Sequence, residues 1–184
     1  MRVIAGSACG IPLKIPAHDL RPTMDMVRGA IFSALGNNVI GTRVLDLFAG
    51  SGGFGIEALS RGAAEAVFVD SHFKAIEAIR LNLAKTKLTG NIIKNDVFRF
   101  LSSTFQPFQL IFADPPYAKV PGNRDFIQEL MVHPALFSIL DPSGLLVLER
   151  APSKSESAFS GWQITRIKRY GETEVVFCVP NTSA

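Results

Sequence analysis

The fold is decided by Val44-Leu45-Asp46-Leu47-Phe48-Ala49-Gly50-Ser51-Gly52, where an apolar run leads directly into glycines. The run predicts a buried strand, and Gly50-Ser51-Gly52-Gly53-Phe54-Gly55 satisfies the pattern G-x-G-x-x-G of nucleotide-binding folds. Glycines let the backbone turn sharply and approach a ligand. Asp70 lies 20 residues after Gly50, where a carboxylate accepts hydrogen bonds from ribose hydroxyls. We therefore expect an adenosine-containing cofactor.

Strand-like and helix-like segments alternate on both sides of this stretch. Strands are predicted at Arg43–Phe48, Ala66–Val69, Asn91–Lys94, Phe108–Ala113 and Leu145–Glu149. Helices are predicted at Met24–Leu35, Gly55–Arg61, His72–Leu83 and Val97–Phe105, with helical material within Asp125–Leu140. This alternation predicts a doubly wound α/β sheet that is mostly parallel, with helices on both faces.

Two hairpins complete the prediction. Trp162–Lys168 and Thr173–Val179 predict a C-terminal antiparallel hairpin, which brings the sheet to seven strands. Arg2–Ala5 and Ile11–Ile15 predict a small N-terminal β-hairpin extension. We therefore divide the chain into a hairpin appendage, residues 1–20, and one main domain, residues 21–184.

Asp114-Pro115-Pro116-Tyr117 follows the fourth predicted strand and offers a carboxylate, a rigid carbonyl and an aromatic ring. The two prolines fix the backbone, so that the Pro115 carbonyl is expected to project into a cleft. Both acceptors suit an exocyclic amino group, and Tyr117 suits stacking on a base. The tetrapeptide is also typical of a plain turn that ends a strand. Its place beside the glycine loop favours a catalytic site made of these four residues, because neighbouring strand ends form the ligand crevice.

The glycine loop alone does not distinguish a nicotinamide dinucleotide from S-adenosylmethionine. Asp46 stands within the end of the first strand, four residues before Gly50, where its carboxylate suits the α-ammonium of a methionine end and repels a pyrophosphate. Asp96 follows the third strand and suits the adenine amino group. The tetrapeptide has no use in hydride transfer, so we expect methyl transfer from S-adenosylmethionine to an exocyclic nitrogen. The cofactor-binding residues are then predicted to be Asp46, Phe48, Ala49, Gly50, Ser51, Gly52, Asp70 and Asp96.

Composition sets modest limits. The chain has 184 residues, of which 47% are hydrophobic, and its formal net charge is +3. No apolar run approaches the roughly 18 residues of a membrane span, and the first residues lack a signal peptide, so we expect a cytoplasmic protein. Two cysteines and three histidines stand isolated, which predicts no metal site. Basic residues gather near both ends, and Arg21 and Arg28 are candidates for RNA phosphate contacts.

The chain resembles the bacterial 16S ribosomal RNA guanine-N2 methyltransferases of RsmD type, which are class I S-adenosylmethionine-dependent enzymes with a Rossmann-like fold. The resemblance rests on five stretches: Arg2–Gly6, Arg21–Arg28, Leu45–Gly52 continued by Gly55–Ala63, Asp114–Tyr117, and Tyr170–Thr173. It implies methyl transfer to the N2 amino group of one guanine in 16S rRNA. One departure is the turn Gly6–Ile11, where similar proteins usually carry tryptophan and arginines.

The substrate follows from size and resemblance together. The nucleotide fold uses nearly everything from Arg43 onward, which leaves no separate domain for reading duplex sequence. We therefore expect a prefolded substrate, an assembled or partly assembled small ribosomal subunit, and a monomeric enzyme. Three alternatives stay open: a DNA adenine-N6 methyltransferase with the same tetrapeptide, an NAD(P)-dependent oxidoreductase, and a non-catalytic cofactor-binding RNA module.

Overall fold

The computed structural model describes residues 1–16, 24–116, 124–153 and 159–181. Its centre is a seven-stranded sheet in the order β3-β2-β1-β4-β5-β7-β6. The strands are β1 (Arg43–Leu47), β2 (Glu65–Asp70), β3 (Asn91–Lys94), β4 (Phe108–Ala113), β5 (Leu140–Arg150), β6 (Trp162–Tyr170) and β7 (Thr173–Pro180). Strands β1 to β5 pair in parallel, and β7 pairs antiparallel with both β5 and β6. The predicted doubly wound, mostly parallel sheet with a closing hairpin is confirmed.

Six helices and one 3₁₀ turn are present in the described residues. They are α1 (Met24–Leu35), the turn Gly36–Val39, α2 (Gly53–Ser60), α3 (Phe73–Thr86), α4 (Val97–Ser103), α5 (Phe126–Met131) and α6 (Pro134–Ile139). Side chains of α1, α2 and α3 pack in one core cluster, and those of α4, α5 and α6 pack in another. Alternate residues of β1 belong to different clusters, because Val44 faces the first and Leu45 faces the second. The helices therefore cover both faces of the sheet, as predicted.

Residues 1–16, which we call the N-terminal segment, pack against the first face. Arg2 and Pro12 form an isolated antiparallel bridge, and the Val3 N–H donates to the Ile11 carbonyl at 3.0 Å. The predicted hairpin is thus present as a short pairing. Its Val3, Ala8 and Leu13 are buried in the same core cluster as α1 and α2. Among the described residues, no helix is long and apolar enough to cross a membrane.

Candidate active site

A cleft opens where the carboxyl ends of the central parallel strands meet. Its open space is about 430 Å³, and it is lined by Phe48, Ala49, Gly50 and Ser51 from the loop after β1 and by Asp114 and Glu149. Four of the predicted cofactor-binding residues therefore share one cleft with the predicted catalytic carboxylate. Strand ends in this type of sheet form the usual ligand crevice.

The loop after β1 has an unusual backbone. Phe48, Gly50 and Gly52 all have positive φ, at 56°, 54° and 77°. Glycine adopts this conformation without penalty, whereas for a bulky residue such as Phe48 it costs on the order of 1–3 kcal/mol. The turn closes through a 2.7 Å hydrogen bond from the Gly52 N–H to the Ala49 carbonyl. The strain at Phe48 is held in place by its surroundings, and it marks the loop as a site of function.

Asp70 ends β2 directly beside this loop. The Gly50 N–H donates to Asp70 Oδ2 at 2.9 Å, and the His72 N–H donates to Asp70 Oδ1 at 2.8 Å. A carboxylate oxygen can accept two hydrogen bonds, so Asp70 keeps acceptor capacity for a ligand hydroxyl. The carboxylate therefore both fixes the loop and lies where the ribose role was predicted.

Asp46 is buried beneath the loop rather than on the cleft wall. It is 2% exposed, and its Oδ2 accepts a 2.9 Å hydrogen bond from the Gly55 N–H at the start of α2. Burial raises the pKa of Asp46 to about 8; the Gly55 N–H and Arg28 oppose this, and the charge of Asp70 adds to it. The carboxyl is therefore largely neutral at pH 7, and a cation nearby would favour its ionised form.

Asp96 caps α4. Its Oδ1 accepts from the backbone N–H groups of Phe98 and Arg99 at 3.0 and 3.1 Å. Its Oδ2 lies 4.0 Å from Nη1 of Arg124, and 39% of the side chain is exposed. The capping role was not predicted. It leaves Oδ2 facing solvent, so the predicted role toward adenine rests on that single oxygen.

An aromatic cluster beside Asp96 was also missed by sequence reasoning. The Phe48 ring packs edge-on against Phe98 and Phe126, and Phe98 and Phe126 stack with their centroids 6.2 Å apart. The Arg124 guanidinium lies 4.6 Å and 4.7 Å from these two ring centroids and binds both carboxylate oxygens of Glu129. Isolated phenylalanines carry no sequence signal for such a cluster, because only the fold brings the loop, α4 and α5 together.

The tetrapeptide is only partly described. Asp114 follows β4 and lines the cleft, Pro115 is buried, and Pro116 is exposed. Neither proline lines the cleft. Tyr117 lies outside the described residues, and so does Arg21. Asp114 is therefore the member of the predicted catalytic set whose position at the cleft is described.

Glu149 and Arg28 also line the cleft. Ala113 of β4 pairs with Leu148 of β5, so the residues that follow, Asp114 and Glu149, are neighbours. Glu149 is 9% exposed and lines the same cleft. Arg28, on α1, is 2% exposed and faces the cleft, and its predicted contact with RNA phosphates stays a prediction.

Arg28 belongs to an ion-pair group in which Arg28 and Glu57 are buried and Asp25 is partly exposed. Its guanidinium contacts Asp25 at 2.9 Å and Glu57 at 3.6 Å, and it donates to the Arg2 carbonyl. Glu57 is fully buried and also accepts from Arg61 at 2.7 Å. These contacts make Arg28 part of the cleft's framework, on the side where the N-terminal segment docks.

The stretch Gly55–Ala63 contributed to the family resemblance, but the sequence indicated no function for it. Its contacts show that it holds the N-terminal segment. Glu57 accepts from the Ile4 and Ala5 N–H groups at 2.8 and 3.1 Å. Ser60 Oγ accepts from the Ala8 N–H at 3.0 Å and donates to the Ala5 carbonyl at 2.6 Å. The polar residues of α2 thus hold the N-terminal segment, which sequence reasoning had treated only as a separate hairpin.

Among the late basic residues, Arg150 is 5% exposed and pairs with the fully buried Glu174 at 3.1 Å, so it is structural. In the described parts of the chain, no group of three or more His, Cys, Asp or Glu side chains could hold a metal ion.

Comparison with known proteins places this geometry in a family. The family described as "Conserved hypothetical protein 95" matches residues 1–179. YlbH of Bacillus subtilis, whose name assigns it provisionally as an rRNA methyltransferase, is 39% identical over 184 residues, which cover 95% of this chain and 96% of that protein. The ribosomal RNA small subunit methyltransferase D of Escherichia coli K12 is 36% identical over 122 residues, which cover 65% of this chain and 61% of that protein.

Solved structures agree on the fold. A protein of Escherichia coli, yhhF, provisionally named a methyltransferase, superposes with a TM-score of 0.83 at 28% identity and covers 98% of both chains. The 16S rRNA N2 G1207 methyltransferase of T. thermophilus, solved with AdoMet and guanosine, superposes with a TM-score of 0.69 at 23% identity, over 90% of this chain and 44% of that one. The second likeness shows the class I methyltransferase fold.

The nearly full-length match and the identity to YlbH confirm the resemblance that the motifs indicated. This chain belongs to the family described as "Conserved hypothetical protein 95", the RsmD-type ribosomal RNA methyltransferases.

Proposed function

We propose that this protein transfers the methyl group of S-adenosylmethionine to the exocyclic N2 amino group of one guanine in 16S rRNA. The observation that carries the proposal is the pair of carboxylates, Asp114 and Glu149, on the wall of the cleft that the glycine loop also lines. The family supports rRNA as the substrate.

The residues around the loop fit S-adenosylmethionine. Gly50 and Gly52 supply the close backbone approach that an adenosyl ligand needs, and Asp70 has acceptor capacity left for its ribose. Asp46 is buried beneath the loop, and its hydrogen bond from the Gly55 N–H helps to fix the loop's backbone. Its direct contact with the ammonium of the methionine end stays a prediction. When bound, S-adenosylmethionine supplies a methyl group that leaves its sulfonium as the new N–CH₃ bond forms.

Asp114 would orient and polarise the amino group. The nitrogen lone pair of an exocyclic amine is delocalised into the base, so the amine is a weak nucleophile. A carboxylate that accepts one amine hydrogen holds the nitrogen in place and stabilises the positive charge that develops on it. The proton that the amine gives up can leave after methyl transfer, so Asp114 does not need to act as a strong general base.

Glu149 would favour guanine over adenine. The Watson–Crick edge of guanine offers two adjacent donors, N1–H and N2–H, whereas adenine offers an acceptor at N1. Two neighbouring ionised carboxylates accept hydrogen bonds and donate none, so they match the guanine edge and repel the N1 lone pair of adenine.

The proposed substrate form is an assembled or partly assembled small ribosomal subunit. The chain leaves no separate domain for reading duplex sequence, so specificity would come from the shape of a prefolded RNA–protein surface. The purified protein should therefore label small subunits with methyl-tritiated cofactor more strongly than free 16S rRNA. Equal labelling of both would contradict this part of the proposal.

The central experiment is nucleoside mass spectrometry of small-subunit RNA from cells with and without the gene. We expect loss of one N2-methylguanosine, restored by the wild-type gene and not by Asp114→Asn, whose kcat/KM should fall roughly 10²–10³-fold. Asp141→Asn is the matched control, because Asp141 lies at the opposite end of β5 from the cleft and should restore the product. Unchanged nucleosides, or N6-methyladenine in DNA, would overturn the proposal.

A second variant tests the base. Glu149→Gln keeps the shape of the side chain but presents an N–H donor toward the two donors of guanine. Losing one buried hydrogen bond costs about 1–3 kcal/mol, so we expect kcat/KM for the RNA to fall about 10- to 100-fold with the affinity for S-adenosylmethionine unchanged. Wild-type turnover by this variant would remove Glu149 from base recognition.

A further inference from the structure

Asn82, on α3, is a buried polar residue that sequence reasoning left without a role. It is 1% exposed. Its Oδ1 accepts from the Lys14 N–H at 2.7 Å, and its Nδ2 donates to the Lys14 carbonyl and to the Ser51 carbonyl, both at 2.9 Å. Both amide hydrogens and the amide oxygen are therefore used, and they join three separate parts of the chain.

The Ser51 carbonyl belongs to the glycine loop, between two glycines of positive φ. On one side of it, Asp70 fixes the Gly50 N–H at 2.9 Å. On the other side, the Asn82 amide fixes the Ser51 carbonyl. A loop rich in glycine has many backbone conformations available, so two side-chain anchors at adjacent residues select the one that lines the cleft.

The N-terminal segment takes part through the same amide. Lys14 is held by two hydrogen bonds to Asn82, and the segment is anchored at its other end by Glu57 and Ser60 of α2. Its first residue, Met1, lines the cleft, with its sulfur 3.9 Å from Ser51 Oγ. Asn82 and Ser51 therefore each contact both the N-terminal segment and the glycine loop or belong to it, so the two parts of the chain are linked there.

We propose that Asn82 is a positioning residue for the methyl donor, which couples docking of residues 1–16 to the conformation of the glycine loop. The inference rests on the proposed use of S-adenosylmethionine in this cleft. Because coupling is reciprocal, binding of the donor must in turn stabilise the docked segment.

Asn82→Asp is the sharpest variant. It keeps the shape and the acceptor for the Lys14 N–H, but it removes both donors and places a carboxylate against two carbonyls. We expect the Kd for S-adenosylmethionine to rise about tenfold or more, with kcat at saturating donor within about threefold of wild type, because Asp114 and Glu149 are untouched. The Kd is measured by titration at a temperature well below the Tm of each variant.

Thr86→Val is the matched control. Thr86 is buried one turn later on α3, and its hydroxyl donates only to the carbonyls of Asn82 and Leu83 in its own helix. A merely structural role of Asn82 predicts that both variants lower the Tm and leave the Kd unchanged. Positioning predicts that only Asn82→Asp raises the Kd.

Hydrogen exchange gives a local readout when amides of the N-terminal segment are compared with core amides of β4, whose protection follows general stability. In wild type, S-adenosylmethionine should slow exchange of the Ile4, Ala5 and Ala8 amides, which are bonded to α2 but lie outside the glycine loop. In Asn82→Asp this protection should be lost at saturating donor. If Asn82→Asp fails to fold, Lys14→Pro decides the question. It removes the N–H that Asn82 accepts, keeps the carbonyl to which Asn82 donates, and should also raise the Kd.

The outcomes separate the two proposals. If wild type does not bind S-adenosylmethionine, both the proposed function and this inference fail. If wild type binds it and Asn82→Asp or Lys14→Pro binds it equally well, the inference fails and the proposed function stands.

Discussion

The buried carboxyl of Asp46 makes stability depend on pH in a direction opposite to that of most carboxylates. Its pKa is about 8 in the folded protein against an ordinary value of 3.8, so between these pH values the folded state binds more protons than the unfolded state. The contribution of Asp46 to the free energy of unfolding therefore falls as pH rises from about 4 to 8, by up to about 1.4 kcal/mol per pH unit.

Asp46→Asn should remove this dependence while its amide oxygen still accepts from the Gly55 N–H. We expect the variant to gain stability over wild type progressively from pH 5 to pH 8 in urea unfolding of the ligand-free protein. Asp141→Asn serves as the control, because the Ser143 hydroxyl and N–H hold the pKa of that exposed carboxyl below its usual value. A difference between Asp46→Asn and wild type that stays constant with pH would contradict the assignment.

The residues of the site differ in how far the sequence could predict them. Asp70 and Asp114 were predictable because their position after a strand end determines where they lie. The burial of Asp46 was not, because it depends on α2 closing over β1. Glu57, Asn82 and the phenylalanine cluster have no local pattern, since each bonds or packs to a residue distant in the chain.

Among the elements, the N-terminal turn offers a clean test of how the segment docks on α2. Gly6 and Gly10 both have positive φ, at 84° and 83°, but a Cβ at Gly6 would lie 1.8 Å from the Ser60 carbonyl oxygen, whereas a Cβ at Gly10 meets nothing within 4 Å. Gly10→Ala should cost about 1–2 kcal/mol from backbone conformation alone. Gly6→Ala should cost a further 1–3 kcal/mol or so from overpacking.

The measurement is chemical denaturation of both variants beside wild type. Gly6→Ala should also weaken donor binding if the segment supports the cleft, while Gly10→Ala leaves it unchanged. Equal losses of stability in the two variants would mean that the segment does not press on α2 as described.

Element boundaries departed from prediction where local chemistry conflicted with tertiary pairing. Strand β5 was predicted at Leu145–Glu149 but begins at Leu140, because Leu140 pairs with Phe108 before an irregularity that contains Pro142 and Gly144. Proline and glycine within a strand argue against it from sequence alone. The helical material after Asp125 is two short helices, since Pro134 starts a new helix at its first turn.

At the scale of the whole molecule, the strand order brings the ends of β1, β4 and β5 side by side, and this adjacency makes the cleft. The order was predictable, because alternating strands and helices with a glycine loop after the first strand favour this topology. Docking of the N-terminal segment over α2 and α3 was not, because its contacts join residues more than 50 positions apart.

Ligand binding to the whole protein should distinguish the cofactor classes. S-adenosylmethionine at about a hundred times its Kd adds about 2.7 kcal/mol of stability, which for a chain of this length corresponds to a rise in Tm of roughly 5–10 °C. NAD(P) at the same concentration should leave the Tm unchanged. A rise with NAD(P) alone, measured by differential scanning fluorimetry, would restore the oxidoreductase interpretation.

The anchoring of residues 1–16 also constrains how the protein matures on the translating ribosome. Ile4 bonds to a residue 53 positions further along, and Lys14 bonds to one 68 positions further along. At a translation rate of roughly 5–20 residues per second, about 3–14 seconds pass between the synthesis of Lys14 and that of Asn82. The glycine loop of a nascent chain therefore acquires its last anchor only after α3 has emerged from the exit tunnel.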